Sequence, residues 1–166
     1  MKQHCATRRI NALIAAALSA FFLVHAALGT LSRLFLNADA PALIVWLFVF
    51  AGLAHIVLCL ITSKLMLTDT QRPPSRKKVN HLWLKWASGA VLAAGALFHA
   101  LGLDGNVDWF IVVVDALLIW HIYIGCKSLA RDLDLPRGAK TPLRIIAMAI
   151  GGAIGIVATL TALGAL

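Results

Sequence analysis

Four histidines, His25, His55, His99 and His121, each sit inside a long apolar stretch of the chain, one to a stretch. An imidazole in such surroundings does one of three things. It ligates a metal through a ring nitrogen, carries a proton, or rests as a neutral ring bonded to a nearby carbonyl. Ionisable groups inside apolar spans are expensive and rarely idle. For any single histidine the bonded neutral ring explains the position as well as a ligand does, so what decides is how the four stand relative to one another. His4 and His81 lie outside the apolar stretches, the first in the basic N-terminal tail and the second where a stretch begins.

The elements that carry these residues follow from composition. The 166 residues are 61% hydrophobic and only 13% charged, with a mean hydropathy of +0.88. That excess cannot be hidden inside a water-soluble globule of this size. Glycine, proline and cysteine are too few for collagen-like, disordered or disulfide-stapled classes. The apolar stretches run over about 10–32, 41–66, 82–103, 108–130 and 142–165, each near the roughly 20 residues that cross a bilayer as a helix. The expectation is an all-α, five-helix transmembrane bundle forming one domain over 1–166. Pro41 and Pro142 open the second and fifth stretches, and Thr141 is placed to cap the fifth. The first stretch is longer than the apolar core of a signal peptide and is read as a retained helix.

Basic residues orient the bundle. Five crossings put the N-terminus (Lys2, Arg8, Arg9), the second connection (Lys64, Arg72, Arg76, Lys77, Lys78, Lys85) and the fourth (Lys127, Arg131, Arg137, Lys140, Arg144) on one side. Fourteen of the fifteen Lys and Arg residues fall there. Arg33 alone is opposite, with Asp39, Asp104 and Asp108. The positive-inside rule then sets the N-terminus in the cytoplasm and the C-terminus outside; the inner membrane of a prokaryote is the expected location. The net charge of +8 becomes a face for anionic lipid and for a soluble partner, and nucleic acid is not needed to explain it. The connections are too short to fold as domains, so chemistry in water would fall to such a partner.

Depth now sorts the histidines. At 1.5 Å per residue, His25 is about 24 Å above Arg9 and about 12 Å below Arg33, while His99 is about 21 Å above Lys85 and about 8 Å from Asp104. Both belong to the outer half. His55 is about 14 Å from Lys64 and His121 about 9 Å from Lys127, so both belong to the inner half. Two pairs at two levels match the axial ligands of two stacked bis-histidine haems lying between the first four helices. A zinc cage would gather four ligands at one point, usually with cysteine. Two imidazoles per iron leave no open position, which suits electron transfer. No CxxCH occurs, so covalently attached haem is excluded.

Gly29, Gly52, Gly95 and Gly125 each stand one turn from a histidine, where a porphyrin edge would need room, although small residues also serve helix packing. Lys64, Lys127 and Arg131 at the inner end and Arg33 at the outer are candidate partners for haem propionates. Cys59 and Cys126 are a turn from His55 and His121, as small apolar residues. Trp83, Trp86 and Trp109 read as an interfacial belt, Asp115 as a buried hydrogen-bonding or proton-handling group, and Gly151 with Gly155 as a packing stripe on the fifth helix.

The five spans, the His25–His99 and His55–His121 pairing, and the segments His81-Leu82-Trp83-Leu84-Lys85-Trp86, Phe98-His99-Ala100 and Trp120-His121 through Gly125 resemble a known family. It is the dihaem cytochrome b membrane anchors of succinate dehydrogenases and fumarate reductases. The resemblance implies two haem b groups, the outer on His25 and His99 and the inner on His55 and His121. It also implies flavoprotein and iron–sulfur subunits on the cytoplasmic face, and a membrane quinone, with menaquinone expected, as electron partner. The chain itself would hold no catalytic residue for succinate or fumarate. It departs from the family in being short and in having no glutamate: Ile119 lies two residues before His121, and Asp39 is an outer acid without a supporting motif. Cytochrome b subunits also serve hydrogenases, formate dehydrogenases and other flavoprotein reductases. A haem-free transporter is the reading from a different class; it leaves the paired depths unexplained.

Overall fold

The computed structural model describes residues 2–35, 42–69, 73–101, 108–136 and 138–164, with side chains described for 6–25, 46–69, 73–99, 101, 109–136 and 138–164. All the regular structure in these residues is helical. The helices are α1 (Lys2–Phe35), α2 (Ala42–Leu67), α3 (Arg76–Ala100), α4 (Asp108–Asp132) and α5 (Lys140–Ala162).

Their ends follow local chemistry. Pro73 and Pro74 keep the chain extended up to Ser75, whose carbonyl accepts the N–H groups of Lys78 and Val79 in the first turn of α3. After α4 the backbone turns through Asp134 at φ 53°, a left-handed conformation that Asp tolerates, and Leu135 N–H closes back onto the Ala130 carbonyl. Helix α5 begins at Lys140 with Ala139 as its cap and no side-chain capping bond, so Thr141 is not the N-cap. Pro142 therefore sits within the first turn, where backbone N–H groups have no intrahelical acceptor to lose. Helix α1 begins eight residues before the apolar stretch expected at 10–32. Pro41 lies outside the described residues.

Packed helices that are consecutive in the chain run antiparallel. In α3 against α4, Gly95 meets Val114, Ser88 meets His121 and Lys85 meets Ser128, so one index falls as the other rises. Likewise α1 meets α2 through Phe21 and Phe22 with Phe48 and through Asn11 with His55. Helices α4 and α5 meet at Ile119–Gly151 and Tyr123–Arg144. Helices α1 and α4 pack on each other, with α5 against both; α2 joins α1 and α3 joins α4, while α2 and α3 share little surface.

The core is thin and made of small groups. Ala147, Gly151, Ile154 and Ala158 form the buried stripe of α5, spaced to share one face. Outside it, Leu13, Phe50, Leu53, Val57, Ile145 and Ile156 are exposed. An exterior that apolar is at home in lipid and a liability in water. Helices α1, α2, α4 and α5 are long and apolar enough to cross a membrane. Helix α3 was expected to make a fifth crossing and falls outside that group. Its polar residues Lys85, Trp86 and Ser88 lower its average, and they are the residues that bond to its neighbours.

Candidate functional site

The inner histidines occupy built surroundings. His55, half-buried on α2, has Nδ1 2.9 Å from Asn11 Oδ1 of α1. An amide oxygen only accepts, so the Nδ1 proton is donated to it and the free lone pair is on Nε2. The Cys59 thiol lies one turn along α2, 3.6 Å from that Nε2 and 3.4 Å from Asn11 Nδ2.

His121 on α4 has the same arrangement with a different partner. Its Nδ1 is 2.8 Å from Oγ of Ser88, a buried residue of α3. The Ser88 hydroxyl spends its one proton on the Lys85 carbonyl at 3.0 Å, so it must accept the His121 Nδ1–H. Nε2 again keeps the lone pair. The ring rests on Gly89 of α3, where a Cβ would come within 3.2 Å of Cε1. His55 and His121 lie close enough for their charges to interact, although they sit on helices α2 and α4.

The outer pair is similarly matched. His25 and His99, both exposed among the protein atoms, lie within electrostatic range of each other across α1 and α3. Phe21 stacks near His25, with ring centroids 6.0 Å apart and planes 5° from parallel. Asp115 of α4 is also in electrostatic range of His99. It lines a small cavity with Leu23, Leu118, Ile119, Gly151 and Ile154, where α1, α4 and α5 meet.

The inner end is cationic and partly self-paired. Lys85 reaches from α3 to Ser128 Oγ of α4. Asp132 Oδ1 accepts from Arg8 of α1 at 2.6 Å and from Arg131 at 2.9 Å, so Arg131, an expected propionate partner, is already engaged. Arg144 lies over the Tyr123 ring at 4.3 Å and donates to the Tyr123 carbonyl. Lys64 and Lys127 are exposed at the ends of α2 and α4. His81, just ahead of the α3 apolar run, has a buried Nε2 with no hydrogen-bond partner. Burial and the nearby Lys85, Lys127, Arg144 and Arg131 hold its basicity below the usual imidazole value.

Several expected roles change. Trp86 donates its Nε1–H to Ser63 Oγ at 3.1 Å, tying α3 to α2. Trp83 and Trp109 are exposed, as belt residues would be. Gly95 provides no clearance beside His99, since a Cβ there would touch Val114 of α4 at 3.0 Å. Gly52 and Gly125 do face open space, with nothing within 4 Å of such a Cβ. The side chains of Arg33 and position 29, and all of Asp39, lie outside the described residues. Asn11, Ser88, Lys85 and Ser128 were missed.

Among the described residues no group of three or more His, Cys, Asp or Glu could hold a metal ion. Imidazoles that come within electrostatic range two by two, with Nε2 unprotonated in the inner pair, would fit as the donor set of an iron held by two histidines. They do not fit a tetrahedral cage. No protein-family model, curated protein or solved structure matches the chain.

Proposed function

We propose that the chain is a dihaem cytochrome b membrane subunit that passes electrons between an iron–sulfur partner at its cytoplasmic face and membrane quinone. The family suggested by resemblance is the anchor of succinate dehydrogenase and fumarate reductase. The observation that carries the reading is the cross-bundle pairing of all four span histidines, His25 with His99 and His55 with His121. A random scatter of polar rings gives no reason for both pairs to come within electrostatic range of each other.

In this reading α3 makes the fifth crossing. It is about 37 Å long, enough for a bilayer. Its antiparallel contacts with α4 run from residue 95 to residue 85, which supports the same depth as that apolar helix. The polar side chains that lower its hydropathy are turned toward α2 and α4. Five crossings with the basic ends on one side keep the N-terminus in the cytoplasm.

His25 with His99 would hold the outer haem b and His55 with His121 the inner. Each haem, when bound, supplies one-electron transfer without an open coordination position. The chain's own residues bind and orient. Asn11 and Ser88 hold the inner rings, and the apolar helix faces exclude water. Lys64, Lys127 and Lys85 supply positive charge for inner propionates, with Arg33 at the outer end. The exposed cations Arg76, Lys77 and Lys78 lead α3 on the face where flavoprotein and iron–sulfur subunits would dock.

A reduced-minus-oxidised spectrum of the purified chain tests the proposal. Two b-type haems per chain are expected. The absence of b-type bands after expression with ample haem would sink it, and would favour the haem-free transporter.

A further inference from the structure

We propose that Asn11 and Ser88 are positioning residues that fix the tautomer of His55 and His121, keeping Nε2 the unprotonated nitrogen in both rings of the inner pair. The effect on a bound haem rests on the function proposed above; the tautomers themselves do not.

A neutral imidazole carries one proton, and whichever nitrogen loses the hydrogen-bonding contest becomes the ligand. At His55 the acceptor is Asn11 Oδ1 at 2.9 Å; at His121 it is Ser88 Oγ at 2.8 Å. The two acceptors differ chemically and sit on different helices, yet both engage Nδ1. Ser88 is buried and its own proton is committed to the Lys85 carbonyl, so it has no donor with which to hold the other tautomer.

Their placement in sequence shows how the bundle does this. Asn11 precedes His25 on α1 by about four turns, and Ser88 precedes His99 on α3 by about three. The helix faces that carry the outer histidines therefore return, deeper in, with a small polar residue. Helices α1 and α3 thus serve both levels: a histidine at the outer and a positioning acceptor at the inner. Helices α2 and α4 supply the inner rings. Outer-shell acceptors of this kind orient a ligand and raise its donor strength, and losing one costs about 10–100-fold in metal affinity.

The test uses the full chain, expressed without haem supply, with ¹⁵N-labelled histidine in lipid nanodiscs. The ring ¹⁵N shifts should place the proton of both His55 and His121 on Nδ1. Ser88→Ala should convert His121 to a mixture of tautomers and leave His55 alone. Ser88→Thr, which keeps the acceptor, should restore the native state, and Asn11→Leu should disturb His55 only. An Nε2 proton on either ring in the unaltered chain, or an unchanged His121 in Ser88→Ala, would overturn the proposal. A purely structural serine would not move the tautomer. With haem supplied, Ser88→Ala should raise the midpoint potential of the inner haem and speed its loss about tenfold or more. Ser88→Thr should reverse both, and an unmoved potential would count against the role. The expected tautomers in a chain that takes up no haem would uphold the positioning role and overturn the functional reading.

Discussion

The α4–α5 contact allows a quantitative test of how the histidine-bearing helix is seated. Gly151 is buried, and a Cβ built on it would lie 2.4 Å from Ile119 Cγ1 and 2.8 Å from Cδ1. The first of these is no flexible chain end, so Gly151→Ala must rotate Ile119 or push α5 away from α4. Overpacking of this kind costs about 1–3 kcal/mol. The gain in helix propensity, at most about 1 kcal/mol, offsets part of it. The expected net loss is about 1–2 kcal/mol, read as a lower midpoint in unfolding of the chain in mixed micelles followed by helical content. Two comparisons isolate the cause. Gly152→Ala, on the adjacent residue with nothing within 4 Å, should cost nothing. Ile119→Ala alone should cost about 2 kcal/mol, and combining it with Gly151→Ala should cost about 1 kcal/mol less than the two added together. Equal midpoints for Gly151→Ala and Gly152→Ala, or strict additivity with Ile119→Ala, would refute the reasoning.

Three further outcomes are expected. His99→Leu should remove about half of the b-type absorbance, the outer haem, and leave the inner one; equal loss of both counts against the pairing. Gly125→Ala should leave the haem-free chain as stable as before, since nothing lies within 4 Å of its Cβ, and Gly125→Leu should reduce haem content; unchanged haem content in spectra would show that no macrocycle edge comes near. His81 carries a basicity lowered by burial and by Lys85 on α3, Lys127 and Arg131 on α4 and Arg144 on α5. The unfolded chain therefore binds the extra proton first, and stability falls as pH drops below about 6.5. His81→Gln should flatten that part of the thermal-stability profile, and a profile of unchanged slope would remove His81 as its source.

Much of the fold was legible because a membrane helix must satisfy every backbone group within itself, which ties length and apolarity directly to structure. The bounds expected for the second and fourth stretches, 41–66 and 108–130, nearly coincide with α2 and α4. Helix α1 escaped the same rule at its start because residues before Arg9 are polar and helical together, and hydropathy sees only the apolar part. Thr141 misled because a capping residue type was present where backbone N–H groups needed no side chain. Helix α3 shows the deeper limit. Lys85 and Trp86 read as interfacial from their types alone, but Ser128 and Ser63 on other helices turn them inward.

The site was half legible for a related reason. A histidine inside an apolar stretch is conspicuous from composition, while an asparagine or serine there is common enough to pass as packing. The missing signal was a relation between levels. Asn11 and Ser88 fall on the helix faces already marked by His25 and His99, a whole number of turns nearer the basic end. Antiparallel packing then carries Asn11 to His55 and Ser88 to His121, because the partner indices rise as theirs fall. Any second polar residue on a histidine-bearing face is thus brought beside the neighbouring helix at the other level. Asp115 of α4 comes within electrostatic range of His99 at the outer level, while Ser88 of α3 bonds to His121 at the inner. The inner histidines bond to neutral acceptors, whereas the outer His99 has a carboxyl group within electrostatic range.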